Sequence, residues 1–386
     1  MFRPQIQKTR VLVFMAVVSL ILVYISSNST VIHTANGFEE KLIASEIMES
    51  ALKVLKAEVK NNKNIIDNTI YIDIDPNTTG LIFKEDSPIR SSIGDLEAKQ
   101  TVLKPNFAAL VVDNLIKAGV NSGDTIAIGM TGSMPGANIA VLSACKAMGL
   151  QTVTISSVGS STWGATDPNF TWLDMENILI ENKIFSQKSI AASMGGKGDC
   201  LRRSGKRGGK EAREIVRLAA LRNRIPLIDY VLPIEEQNVS KSIDQRVKLY
   251  SKFVNSLDDY TAFINVGGGV TNVGVGGKTK IPKPGFLTPE LILEMNPRKS
   301  IIKNFARLGV PSVHISHIPE LVRGVIPFGS QKLLTGQGRL YKDEKYNLIV
   351  ASFSLVVLLS LVFGIGIYSH QQIKKRMQSY EPESIL

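Results

Sequence analysis

Apolar residues crowd the two ends of the chain. Between them they recur in short β-branched runs that alternate with segments of helical period. From Val11 to Tyr24 the sequence reads VLVFMAVVSLILVY, and with Ile25 and its neighbours about 17 residues carry no charge, the short end of a spanning helix. Basic residues before the run and Ser26, Ser27 and Ser29 after it also fit a cleaved signal peptide, although no A-x-A site follows. The second run, Asn347 to Ser369, has 23 residues without a charge and is followed at once by Lys374, Lys375 and Arg376, which predicts a span.

Residues 39–60 carry apolar positions at Leu42, Ile43, Ile47, Leu52, Leu55 and Val59, a helical spacing. Then TIYIDI (69–74), TIAIG (125–129), TVTIS (152–156), PLIDY (226–230), AFINVG (262–267) and SVHIS (312–316) read as strands. Helices are expected at 108–118, 137–148, 212–222, near 242–256 and near 299–308. This alternation predicts an α/β fold, a mostly parallel sheet with helices on both faces, anchored by one N-terminal and one C-terminal transmembrane helix. The expected organisation is a cytoplasmic N-terminus (1–10), a span (11–27), a membrane-proximal helical segment (28–68), an α/β domain of one unit or two lobes (69–345), a second span (347–369) and a cytoplasmic tail (370–386). No internal repeat is present.

Charge adds a direction. Arg3, Lys8 and Arg10 precede the first span and only Lys41 follows it closely, so the N-terminus is expected inside. At the second span Arg339, Lys342 and Lys345 balance the three basic residues after it, and parity places the C-terminus inside as well. The central domain is then extracytoplasmic, in the cell membrane. The chain has 386 residues with 45 Lys+Arg and 34 Asp+Glu. Setting aside the six basic and two acidic residues of the two ends leaves 39 basic and 32 acidic residues outside, a net +7. Outside the membrane a disulfide persists, yet only Cys145, in an apolar helical stretch, and Cys200, in a Gly/Arg-rich loop, are available, and their pairing stays open.

In parallel sheets ligands collect at the carboxyl ends of the strands, so the loops after the strands are where chemistry is sought. In Gly129-Met-Thr-Gly-Ser-Met-Pro-Gly-Ala-Asn138, glycines allow a tight turn, and Thr131, Gly132, Ser133 and Asn138 supply donors for an anion or carboxylate; a plain structural turn fits too. The spacing matches neither a Walker loop nor a dinucleotide fingerprint, so no cofactor is expected. Ser160 and Ser161 stand in a hydroxyl-rich loop beside Trp163, without a G-x-S-x-G elbow, and read as ligand donors or as a nucleophile. From Lys197 to Arg213 there are seven Lys/Arg, among them Lys197, Arg202, Arg203, Lys206 and Arg207; the run reads as a solvated loop or as an attractor of a polyanion. It has no interleaved aromatics, and nucleic acid is not expected. A fourth glycine turn, 265–277, offers Asn265 and Asn272. His314 and His317 point to opposite faces of an extended chain, so joint metal ligation is not expected, and His317 is a candidate acid or base. Glu85 is the nearest candidate carboxylate.

Several segments resemble the bacterial poly-gamma-glutamate system protein family. They are Ser87-Pro-Ile, Gly94-Asp-Leu-Glu-Ala-Lys, Pro105-Asn-Phe-Ala-Ala-Leu-Val-Val, Gly132-Ser-Met-Pro-Gly-Ala-Asn-Ile-Ala, the long stretch from Ser157 through Ser-Ser-Thr-Trp-Gly-Ala-Thr-Asp-Pro-Asn-Phe to Glu176, Gly195-Gly-Lys-Gly-Asp, and Asn265-Val-Gly-Gly-Gly-Val-Thr-Asn-Val-Gly. The resemblance implies a role in making, exporting or anchoring poly-gamma-glutamate at the cell envelope as a capsule polymer, with the synthase and export subunits and the lipid bilayer as partners. It transfers no catalytic residue. The expected function is an accessory whose basic outer domain binds or guides the anionic polymer. The alternative is a gamma-glutamyl hydrolase or transferase using Ser133 or Ser161 with His317 or Lys197 as base. A third class is a scaffold acting through its spans, where Ser352, Ser354, Ser360, Gly364 and Gly366 allow close helix packing.

Overall fold

The computed structural model describes residues 9–65, 71–83, 86–196, 198–201, 209–228, 239–274, 283–295 and 299–378. Two compact units are present, one formed by the two ends of the chain up to Thr34 and from Lys342, the other running from Ala35 to Tyr341.

In the terminal unit, helix α1 (Thr9–Asn28) leads into strand β1 (Thr30–Thr34). The unit resumes at the far end of the sequence with β10 (Lys342–Tyr346) and α13 (Leu348–Gln378), β1 and β10 pairing antiparallel. Both helices are long and apolar enough to cross a membrane, and α1 has no buried residue. Large apolar side chains such as Leu20, Val23, Phe353 and Phe363 stand more than half exposed, a surface that water penalises and hydrocarbon does not. The two helices pack on each other, and the Ser26 hydroxyl donates to Ser354 Oγ at 2.9 Å.

The Ala35–Tyr341 unit opens with α2 (Phe38–Asn61), followed by β2 (Arg90–Ser92), α3 (Leu96–Val102), α4 (Asn106–Lys117), β3 (Thr125–Thr131), α5 (Pro135–Ala147), β4 (Gln151–Ser157), β5 (Ser160–Ser161) and α6 (Trp172–Glu181). Then come β6 (Ala191–Ser193), α7 (Lys210–Arg222), α8 (Val239–Tyr250), β7 (Ala262–Val266), α9 (Val270–Val273), β8 (Gly285–Leu287), α10 (Pro289–Met295), α11 (Ile301–Ala306), β9 (Ser312–Ile315) and α12 (Ile318–Leu321). A six-stranded sheet has the order β6-β4-β3-β7-β9-β8, parallel throughout except for β8 against β9.

Alternate residues of each central strand feed opposite cores. On one face Ile126, Ile128 and Met130 join the buried faces of α2, α4 and α5; on the other Ala127, Val153, Ile155 and Phe263 meet α8, α10 and α11. The second core is aromatic: Phe263 and Phe305 stack with centroids 4.9 Å apart, and Tyr250 and Tyr260 meet Phe305 edge-on.

Two expected strands differ. Of TIYIDI, residues 69–70 lie outside the described residues, and Tyr71–Ile74 is a turn closed by Asp75 N–H to the Tyr71 carbonyl at 2.7 Å, with Ile72 exposed. Of PLIDY, the described residues 226–228 contribute one parallel bridge, Leu227 to Ala192, and the rest lies outside the described residues. The 39–60 helix is present as α2 and lies against α4 and α5, with Met48, Ala51 and Leu55 fully buried.

Candidate functional site at the carboxyl ends of the strands

The sheet grows from β3 through β4 to β6 on one side and through β7 to β9 on the other, which makes the gap between the ends of β3 and β7 the switch point. Thr131 ends β3 and Gly267 follows β7. Gly267 has φ +84, and a Cβ there would lie 2.7 Å from Thr131 Cγ2, so only glycine brings the two chains this close.

Beneath the gap, side chains that sequence presents as ligand donors are turned inward. Asn138 donates from Nδ2 to the Thr131 carbonyl at 2.8 Å. Asn265 donates to the Gly267 carbonyl at 2.7 Å and accepts from Asn272 Nδ2 at 2.8 Å, and both asparagines are buried. The Oδ1 atoms of Asn138 and Asn272 are buried without a hydrogen-bond partner. Asn265 also donates to His314 Nδ1 at 2.9 Å, leaving the His314 proton on Nε2, which faces Ser316 Oγ at 2.7 Å. Burial, reinforced by His317, lowers the His314 pKa to about 4, so this imidazole is neutral. His317 is exposed, adopts φ +45 and meets Ser316 Oγ through Nδ1 at 3.1 Å.

Around Ser133 and Ser161 the candidates converge. The Ser161 N–H donates to Ser133 Oγ at 3.0 Å, and Thr131 Oγ1 donates to the same hydroxyl at 3.3 Å. Ser160 is buried and spends its hydroxyl on the Gly132 carbonyl, 3.0 Å, and the Ser161 carbonyl, 2.9 Å. Lys99, not among the residues expected here, joins this cluster: its Nζ donates to Ser161 Oγ at 2.7 Å and to the Ser133 carbonyl. His317 makes no described hydrogen bond to either serine.

Lys99 arrives on α3, whose start is capped by Asp95 accepting the Ala98 N–H at 3.1 Å. Gly94 precedes the cap, and its N–H donates to Thr162 Oγ1 at 2.6 Å. A Cβ on Gly94 would lie 2.6 Å from the Thr162 carbonyl oxygen, 3.0 Å from Ser161 Oγ and 3.1 Å from Lys99 Cε, so bare backbone covers the pair. Lys99 is 2% exposed and Ser161 6%, whereas Ser133 and Thr131 are half-buried. Desolvation lowers the Lys99 pKa to about 7 against the opposing pull of Asp95. The partner of Lys99 is 62 residues away in sequence, and nothing local points to it.

Next along the edge, the turn after β6 is wound through left-handed residues: Gly195, Gly196, Gly198, Asp199 and Leu201 have φ between 53 and 76. Asp199 holds it, accepting from Ser193 Oγ at 2.8 Å, from the Gly195 N–H at 2.9 Å, and from Ser242 Oγ. The turn presses on the serine loop, since a Cβ on Gly159 would lie 2.5 Å from Leu201 Cδ2 and 2.7 Å from the Met194 carbonyl oxygen. Glu85, Lys197, Arg202, Arg203, Lys206 and Arg207 lie outside the described residues. Cys145 and Cys200 are both buried, and no disulfide joins them.

Compared with protein-family models, curated proteins and solved structures, the chain matches none of them.

Proposed function

We propose that the chain is a membrane-anchored component of poly-gamma-glutamate synthesis or export, with the Ala35–Tyr341 unit on the extracytoplasmic side, where it binds and guides the emerging polymer. Every residue of that polymer carries a carboxylate, so a basic partner at the outer face attracts it in a salt-dependent way. One observation carries the reading. The turn that precedes most of the basic run in sequence is held by Asp199 and lies against the hydroxyl-rich loop of Ser160 and Ser161, at the carboxyl edge of the sheet. The resemblance to the poly-gamma-glutamate system family supports the choice of polymer, and the count of Lys and Arg around the first span supports the orientation.

Binding of the full-length chain in lipid nanodiscs to poly-gamma-glutamate, measured at low and high salt, tests this. Binding is expected at low salt, weakening as salt rises and weaker at all salts in a variant with Arg202, Arg203, Lys206 and Arg207 changed to Glu. Absence of binding at low salt overturns it.

A further inference from the structure

We propose that Ser161 is a nucleophile with Lys99 as its base, and that this pair performs acyl transfer on the gamma-glutamyl amides of the polymer; the substrate class rests on the function proposed above.

Among the described residues three lysines of this unit are buried, and they make the contrast. Lys41, 2% exposed, is matched by a carboxylate, Asp113, at 2.7 Å. Lys104 donates to the Pro327 carbonyl, and desolvation lowers its pKa to about 8. Lys99 alone of the three is aimed at a hydroxyl, and Asp95 acts on it only through space. An uncompensated buried ammonium is costly and is relieved by giving up its proton, and a neutral amine 2.7 Å from a serine hydroxyl is a general base in position. Ser–Lys pairs are a recurrent variant of serine nucleophile chemistry. The geometry is held from three sides, by the Ser161 N–H on Ser133, the Lys99 Nζ on the Ser133 carbonyl, and the backbone of Gly94 above. Ser133 and Thr131, beside the pair, are half-buried.

The step balances without a further reagent beyond the acceptor. Lys99 Nζ takes the Ser161 Oγ proton as Oγ bonds to the amide carbon. The carbon–nitrogen bond then breaks, and the lysine proton passes to the leaving amine, leaving a seryl ester. Water attacks the ester, giving its proton to Lys99; the carbon–Oγ bond breaks, and the proton returns to Ser161. With an amine acceptor in place of water the same sequence is a transfer.

The full-length chain in detergent is incubated with a fluorophosphonate probe from pH 5.5 to 9, and the labelled peptide is identified by mass spectrometry. The expected adduct is on Ser161, formed faster as pH rises with a midpoint near 7, where Lys99 loses its proton; Asp95 is the charged group acting on that midpoint among the described residues. Lys99→Ala should slow labelling roughly 10²-fold or more, with partial rescue by added methylamine, and Ser161→Ala should abolish it. No adduct on the folded wild-type chain at any pH, or an adduct on another serine, overturns the pair, and this readout needs no variant to fold. A second arm follows polymer length. Shortening or transfer that requires both residues supports the substrate class; labelling at Ser161 with polymer bound but unaltered overturns that class while the nucleophile stands. Labelling with no polymer binding instead overturns the proposed function.

Discussion

Arg246 and Asp199 form an ion pair at 3.1 Å, with 1% and 7% of their side chains exposed, and it joins α8 to the turn that follows β6. The same guanidinium reaches Ser193 Oγ at 2.6 Å, so one arginine ties a strand end, a left-handed turn and a helix together. Removing one partner strands the other charge in the interior. Asp199→Ala is expected to cost about 3–5 kcal/mol in urea denaturation, with the Asp199→Ala/Arg246→Ala double variant losing less than the two singles combined. A single-variant cost under about 1 kcal/mol would show that the turn holds without the pair.

Glu176 is fully buried and accepts from Ser189 N–H at 3.1 Å and Ser189 Oγ at 2.8 Å, and Ser189 in turn meets Ser156 Oγ at 2.8 Å. Burial raises its pKa to about 7, overriding those hydrogen bonds. The folded state therefore holds a proton that the unfolded chain releases near pH 4.5. The contribution is full below that pH, fades as pH rises, and is gone above about 7. Glu176→Gln should flatten stability between pH 5 and 8 and stabilise the chain at pH 8 by on the order of 1–3 kcal/mol. Parallel wild-type and variant curves over that range would refute the assignment.

Gly129 on β3 faces Asn272, and a Cβ there would sit 2.2 Å from Asn272 Nδ2. Gly129→Ala is expected to lower stability by about 1–3 kcal/mol, and the same change in an Asn272→Ala background to cost less, because the clash is gone. Equal costs in the two backgrounds would mean that the strand backbone, not the asparagine, sets the penalty.

The hydrogen bond between Ser26 and Ser354 predicts which faces of the two apolar helices meet. In a Ser26→Cys/Ser354→Cys chain in native membranes, mild oxidation should join the two ends, so that after proteolysis of the central unit they migrate together without reductant. Cys145 and Cys200 are buried and do not compete. Gly364 and Gly366 have open space around their Cα positions, so Gly366→Cys with Ser26→Cys should not cross-link.

The central strands were legible because β3 and β4 carry continuous apolar or β-branched runs such as TIAIG and TVTIS. β6 was not, being three residues of Ala-Ala-Ser whose placement depends on pairing with β4 rather than on propensity. β2 and β5, of three and two residues, are serine-rich, yet their parallel pairing brings Arg90–Ser92 to the serine loop. At the site, Ser133 and Ser161 were visible as hydroxyls in glycine loops after strands. Lys99 was not, because α3 is too short to show a period and the meeting of lysine and serine is decided by tertiary packing. Asn265 and Asn272 looked like ligand donors for a good local reason, their place in a glycine turn, but each has its amide nitrogen committed within the interior.

The five-residue ladder of β1 and β10 ends at Thr34 and Lys342, and the next residues inward, Ala35 and Tyr341, share a hydrogen bond of 3.0 Å. Everything between them is thus a closed excursion that leaves and returns at one point. Such a unit is interchangeable hardware: a two-residue linker could bypass it and leave a plain helical hairpin, or new termini could be opened at a surface turn after fusing the old ones. Pulling the two apolar helices apart would open the ladder pair by pair from its Thr30–Tyr346 end, and only then load the Ala35–Tyr341 hydrogen bond.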